Sequence, residues 1–321
     1  MALGEFQMID RLLKPLASGF AGALGLSDDA ALLDPPAGRQ LVIAKDAIVE
    51  NVHFLSADPP ATVAKKLLRQ NLSDLAAMGA QPLGYLTAFG RRRDLPEEWL
   101  AAFVAGLAED QASFGLHLLG GDTVATEGPL FFSLTILGTV RSGQALTRGG
   151  AAAGDLVCVS GSLGDGALGL QVLKGGSSGS AAADAYLVDR YRLPRPRLEL
   201  GHALHGVASA CMDVSDGLVG DLRHILDASR AARGQGLGAT IEVGALPLSE
   251  AARMMAGAID AALSGGDDYE LLFTVPPARQ ERLAQLPTPV TVIGRVVEGD
   301  GVAVADQGQA RDQRARGWTH F

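Results

Sequence analysis

Cysteine is almost missing from this chain of 321 residues, which has only Cys158 and Cys211. Each sits in an apolar run, and no C-x-x-C pair occurs. A structural zinc site is therefore not expected, and both thiols read as buried small hydrophobes in a reducing compartment. Positive charge is also short. Lys and Arg number 27 against 36 Asp and Glu, a net charge of −9. That balance argues against the phosphate backbone of nucleic acid as a partner. It also means that a phosphorylated ligand has to be held by metal ions or local dipoles. The longest uncharged apolar stretch, about 129–140, is too short to span a bilayer and is rich in strand formers. Met1 to Leu13 carries Glu5 and Asp10 and lacks the basic and apolar regions of a signal peptide, so a soluble cytoplasmic protein with no membrane partner is expected. No G-x-x-x-x-G-K-[ST] occurs, which closes the P-loop route to phosphate.

Glycine, by contrast, is abundant at 41 residues, which reads as many tight turns and backbone-exposing loops. At about 150 residues per domain, the length suggests two domains. Strand and helix patterns alternate throughout, so the class is α/β or α+β. Phe6, Ile9, Leu12, Leu13 and Leu16 have helical spacing. Leu41 to Ala44 reads as a short buried strand with Lys45-Asp46 at its end. A helix runs from Asp58-Pro59-Pro60 through Val63, Leu67, Leu68, Leu72 and Leu75 to a C-cap at Gly79. Pro82 to Phe89 reads as a strand, 94–114 as a helix, Gly120-Gly121-Asp122 as a turn, and Leu130 to Val140 as a strand. Arg148 to Gly154, small and flexible, is the expected linker, dividing the chain into 1–149 and 150–321. Beyond it come strands at 155–160, 240–243, 269–275 and 290–297. Helices follow Gly164 and Gly217, and Lys174 to Ala183 reads as a mobile loop.

Aspartate placement stands out. Asp28-Asp29, Asp46, Asp74, Asp122, Asp213, Asp216 and Asp267-Asp268 lie in turns, at strand ends or beside small residues. Capping and turn formation explain a lone aspartate. Asp74, on or near the apolar face of its helix, is costly there unless paired or bound to a metal. Two readings stay open: caps and turns, or carboxylates sharing Mg²⁺ with a phosphorylated substrate. Gly164 to Gly169 matches G-x-G-x-x-G, but the acidic residue that a dinucleotide site wants about 20 residues later is replaced by a Gly/Ser/Ala run, so a plain strand-to-helix turn is the better reading. His202 and His205 read as a solvated helix face and Arg91 to Arg93 as a solvated loop.

Taken in order, Gly4-Glu5-Phe6, Ser27-Asp28-Asp29-Ala30, Asn71 to Ala80 (NLSDLAAMGA), Gly120-Gly121-Asp122-Thr123, Leu146-Thr147-Arg148, Met212 to Leu218 (MDVSDGL), Ser264 to Leu271 (SGGDDYEL) and Gly317-Trp318-Thr319-His320-Phe321 resemble the thiamine-monophosphate kinase family across the whole chain. The NLSDLAAMGA and GGDT pieces are shared more loosely with aminoimidazole ribonucleotide synthetase, selenophosphate synthetase and the hydrogenase-maturation dehydratase. Those relatives, acting as ligase or dehydratase, are the alternative reading. A non-enzymatic metal-binding scaffold would leave the nucleotide motifs unexplained.

The resemblance implies an aminoimidazole ribonucleotide synthetase-like fold of two domains. It implies a homodimer whose N-terminal strands form a shared barrel, and ATP-dependent phosphorylation of thiamine monophosphate with several Mg²⁺ ions. By motif, Asp29, Asp46, Asp74, Asp122, Asp213 and Asp216 would ligate metal. Gly121, Asp122, Arg148 and Ser215 would hold ATP, and His53, Asp267 and Trp318 would contact thiamine monophosphate. No residue acts as base or nucleophile. Two departures stand out. Ala44-Lys45 stands where the family often has hydroxyl residues that touch metal, so either backbone carbonyls make the contact or a metal site is altered, with Lys45 replacing some of its charge. Asp267 replaces a longer glutamate.

Overall fold

The computed structural model describes residues 5–234, 236–306 and 309–310. These fall into two units, one within Met1–Leu75 and Ala80–Gly143, the other within Ala76–Gly79 and Gln144–Phe321.

The first unit opens with a helical segment made of α1 (Glu5–Met8), a π turn at Ile9–Leu13 and α2 (Lys14–Ala17). Pro15 cannot donate to the carbonyl four residues back, and the wider turn just before it accommodates that gap. The sheet holds β1 (Arg39–Val49), β2 (Gln81–Arg91), β3 (His117–Ala125) and β4 (Phe131–Arg141) in the order β1-β4-β2-β3. Helices α3 (Pro60–Ala77) and α4 (Glu97–Phe114) cover one face. Aromatic rings provide much of that packing. Phe103 stacks on Phe132 with centroids 4.6 Å apart and on Trp99 at 5.5 Å, while Phe89 meets Phe132 edge-on at 5.6 Å. The other face presents Ile43, Leu86, Val124 and Phe131, all exposed and all on one side by register.

Three sequence expectations change here. β1 is neither short nor buried: it has 11 residues and lies at the sheet edge, so Lys45-Asp46 falls inside it. Gly120-Gly121-Asp122 is not a turn but the middle of β3, paired with Leu86, Thr87 and Ala88 of β2. The glycine is needed there because the backbones come close: a Cβ on Gly121 would lie 2.3 Å from the Thr87 carbonyl oxygen. Arg92 is also not free in a loop, since its Nη1 donates to the buried Glu50 carboxylate at 2.6 Å.

The second unit is built on β5 (Leu156–Ser160), β6 (Ala210–Asp213), β7 (Leu237–Glu242), β8 (Leu271–Val275), β9 (Val290–Glu298), β10 (Gly301–Asp306) and β11 (Gln309–Ala310). They form one sheet in the order β11-β10-β7-β9-β5-β8-β6. Around it lie α5 (Asp165–Leu173), α6 (Ala181–Arg192), α7 (Leu198–Ala203), α8 (Leu218–Arg233), α9 (Glu250–Arg253) and α10 (Ala258–Ser264). β5 and β8 inside the sheet, and β6 at its edge, are buried along their whole lengths. Cys158 and Cys211 lie in that core, and burial pushes the Cys158 thiol up to about 12.

The Arg148–Gly154 stretch is tied down within this unit. The N–H groups of Gly150 and Ala151 both donate to Ser229 Oγ, and Thr147 accepts from the Cys211 N–H. The serine-rich run after Lys174 holds the start of α6: Ser177 and Ser178 donate to Asp184, and Ser180 Oγ accepts from the Ala183 N–H. His205 does not face solvent alone, because its Nε2 lies 3.0 Å from the Gly79 carbonyl oxygen. Among the described residues no helix is long and apolar enough to cross a membrane.

Candidate functional site

In the first unit, a cleft of about 250 Å³ is lined by Asp28, Asp29, Gly120, Gly121 and Asp122, with apolar walls from Ile9, Leu13, Leu86 and Leu118. Three of its lining residues are carboxylates, and among the described residues its lining includes no Lys, Arg or His. Two of the carboxylates also shape their own backbone: Asp28 Oδ1 accepts from the Asp29 N–H at 2.9 Å, and Asp122 Oδ1 from the Thr123 N–H at 2.8 Å. Each of these bonds to the next residue's N–H leaves the remaining oxygens for a ligand.

Asp46 and Asp74 do not line that cleft. The Asp46 N–H donates to Asn71 Oδ1 at 3.0 Å, and Asn71 Nδ2 donates to the Leu67 carbonyl. Buried Asn71 thereby latches β1 to α3, one turn before Asp74, which is half-buried. Register runs from Asp46 through Leu134 and Thr87 to Gly121. Three strand spacings, about 14 Å along the sheet, separate the two ends of that row. Lys45 takes the opposite face from Asp46, and its Nζ lies 3.4 Å from Thr135 Oγ1. His53 follows β1. Its Nδ1 accepts from the Val49 N–H at 3.1 Å, which assigns the proton of the neutral ring to Nε2. Its carbonyl accepts from buried Lys66.

In the second unit, Asp213 ends β6 and is buried, while Ser215 and Asp216 are half-buried in the turn before α8. That turn is held by Asp221, a residue the sequence reading missed. Its Oδ2 accepts from the N–H groups of Ser215, Asp216 and Gly217 at 3.1, 3.2 and 3.1 Å. Burial, then the charges of Asp213 and Asp216, push the Asp221 carboxyl up to about 7. The signal in the sequence was an acidic residue in the first turn after D-V-S-D-G. Arg148 is exposed, with its carbonyl accepting from Ser229 Oγ.

The Ser215 strand end is paired in turn with the Gly266 to Glu270 segment. Asp267 N–H donates to the Ser215 carbonyl and Tyr269 N–H to that of Val214. Asp267 is half-buried, and its Oδ1 accepts from the Tyr269 hydroxyl at 3.1 Å. Trp318 and the rest of Gly317 to Phe321 lie outside the described residues, as does Gly4.

Among the described residues, no three His, Cys, Asp or Glu side chains meet as a ready-made metal cage. An all-oxygen donor set in an open cleft suits Mg²⁺, which keeps waters and shares its coordination with substrate phosphates. The carboxylates of Asp28, Asp29 and Asp122 fit that chemistry.

Residues 27–140 match the AIR synthase related protein, N-terminal domain, and residues 152–307 match its C-terminal domain. The chain is 43% identical to the thiamine-monophosphate kinase of Caulobacter vibrioides, over 98% of this chain and 90% of that one. Among solved structures it is similar to the thiamine-monophosphate kinase of Stenotrophomonas maltophilia K279a (39% identity, TM-score 0.83, 97% and 99% of the two chains). It is also similar to AaThiL complexed with AMPPCP and TMP (32% identity, TM-score 0.80, 100% and 99%). The chain belongs to the thiamine-monophosphate kinase family.

Proposed function

We propose that the chain transfers a phosphoryl group from ATP to thiamine monophosphate, giving thiamine diphosphate, in a cytoplasmic setting. The observation that carries this reading is the cleft of Asp28, Asp29 and Asp122 beside the close-packed backbone of Gly121, in a family whose members are named for that reaction. A relative bound to AMPPCP and TMP adds support.

The attacking group is itself a phosphate, whose second pKa near ~6 leaves it mostly ionised at neutral pH. No general base is required, and direct in-line transfer without a phosphoenzyme is sufficient. The obstacle is repulsion between two polyanions in an acidic protein. Held by carboxylates, Mg²⁺ would supply the positive charge that offsets this repulsion. Asp29, Asp46, Asp74, Asp122, Asp213 and Asp216, with the carbonyls of Ala44 and Lys45, are the residues assigned to hold it. Gly121 offers backbone to the nucleotide phosphates without a side chain in the way, joined by Arg148 and Ser215. His53, Asp267 and Trp318 are assigned to thiamine monophosphate, whose cationic ring suits a carboxylate and an aromatic neighbour.

A second copy of the chain is part of this reading. Ile43, Val124 and Phe131, with Leu86 at the cleft wall, leave large apolar side chains exposed on a sheet face that also carries Lys45 and Asp122, between edge strands β1 and β3. A partner sheet covering that face forms the shared barrel. The test of function is direct: incubation with ATP, Mg²⁺ and thiamine monophosphate should yield thiamine diphosphate, and its absence overturns the assignment.

A further inference from the structure

Asp267 and Tyr269 both have left-handed backbone, with φ of +68° and +52°. Two such non-glycine residues in a span of three are uncommon and persist only where the surroundings over-determine them. The residue between them, Asp268, is gripped at both ends. Its carboxyl accepts from the Gly164 and Gly166 N–H groups at 2.7 and 3.2 Å, and its carbonyl accepts from Arg190 Nη2 at 3.2 Å. The same Nη2 reaches Glu270 Oε1 at 3.1 Å.

Arg190 is 2% exposed, yet it is poorly used as an ion-pair partner. Among the described residues its Nε and Nη1 have no hydrogen-bond partner, and its Nε stands 3.8 Å from Asp165 Oδ2. Glu270 does not depend on it for charge, because Arg197 already makes the two-pronged contact at 2.7 and 2.6 Å and Ser160 adds a third bond. A guanidinium buried with two nitrogens unsatisfied is an expensive way to support a salt bridge that is already complete. Arg190 also faces buried Asp165, but of its two hydrogen bonds the one with no second donor among the described residues is that to the Asp268 carbonyl, in the middle of the strained turn.

We propose that Arg190 is a positioning residue for the acceptor substrate: by holding the Asp268 carbonyl it keeps the 267–269 turn in its left-handed form, and the Tyr269 hydroxyl then aims the Asp267 carboxylate. This rests on the reading of Asp267 as a thiamine monophosphate contact.

The test is steady-state kinetics on the full chain with Arg190→Lys, Tyr269→Phe, Asp267→Asn and the doubles with Asp267→Asn. Tyr269→Phe removes one hydroxyl and keeps the ring, so it carries the test even where Arg190→Lys folds poorly. Both single variants should raise the thiamine monophosphate KM about fivefold or more with the ATP KM within about twofold, and should add little to Asp267→Asn. Equal shifts in both constants, unchanged constants, or full additivity with Asp267→Asn overturn the positioning role. A wild-type chain that makes no thiamine diphosphate overturns the functional reading itself, and the inference with it.

Discussion

Asp268 places its carboxyl 2.7 Å from the Gly164 N–H, so the glycine loop that looks like a dinucleotide fingerprint is filled from within the protein. Gly166 adds a second donor, and a Cβ on it would lie 2.3 Å from the Asp267 carbonyl oxygen, so the loop's glycines serve close packing. Full burial raises the Asp268 carboxyl well above the ordinary carboxylate range, against the pull of the two N–H donors. For such a group the folded chain keeps a proton that the unfolded chain gives up near pH ~4. Its contribution to stability is therefore complete below about pH 4 and declines as pH rises toward the folded pKa.

Asp268→Asn should accordingly cost about 1–3 kcal/mol at pH 4.5, because an amide supplies only one acceptor oxygen for two donors. The gap to wild type should narrow as pH increases to 7. Urea denaturation at pH 4.5, 5.5 and 7 measures it, and a gap that widens with pH contradicts the assignment. No gain of NAD binding is expected, since the loop is packed against residues 261–268 whatever stands at 268.

Sequence pattern alone was enough for α3, whose Leu67, Leu68, Leu72 and Leu75 repeat at helical spacing and are fully buried, and for the central strands β5 and β8. It failed where tertiary pairing outweighs local preference. Gly120-Gly121-Asp122 has turn chemistry, yet Gly121 is what lets β3 lie against the Thr87 backbone of β2. Lys45-Asp46 breaks an apolar run, yet an edge strand tolerates a charge on its open side. The aspartates were visible one by one as candidates, but the residues that hold them were not. Asn71 is 25 residues from Asp46, and Arg190 is 78 from Asp268, separations that no local spacing rule can bridge.

Gly121→Ala separates backbone packing from chemistry in β3. The added methyl would meet the Thr87 carbonyl oxygen at 2.3 Å and its hydroxyl at 2.6 Å. β3 must shift, at a cost of about 1–3 kcal/mol, and the nucleotide-side backbone shifts with it. The ATP KM should rise more than that for thiamine monophosphate. An unchanged ATP KM would remove Gly121 from the nucleotide assignment.

Asp122→Asn and Asp74→Asn should each nearly abolish turnover while leaving the melting temperature within a few degrees, because neither side chain is fully buried. The informative measurement is the Mg²⁺ dependence. If these carboxylates hold metal, residual activity should require several-fold more Mg²⁺ for half-saturation, since each substitution removes a charged oxygen ligand. Wild-type activity at limiting Mg²⁺ in both variants would leave them as ordinary surface aspartates.

Ile43 offers the cleanest probe of assembly. It is 62% exposed in the middle of edge strand β1, on the sheet face opposite α3 and α4. A single exposed isoleucine needs no explanation, but Ile43, Leu86, Val124 and Phe131 together are large apolar side chains on one sheet face that a solitary chain leaves in water. If a second copy covers it, Ile43→Glu buries a charge against apolar neighbours in the dimer and costs almost nothing in the monomer. Sedimentation velocity at micromolar concentration should show wild type as a dimer and Ile43→Glu shifted toward monomer. The melting temperature of the variant should then fall with dilution less than that of wild type, because a dimer's stability depends on concentration and a monomer's does not. A wild-type chain that sediments as a monomer at these concentrations would refute the shared barrel, whatever the variant does.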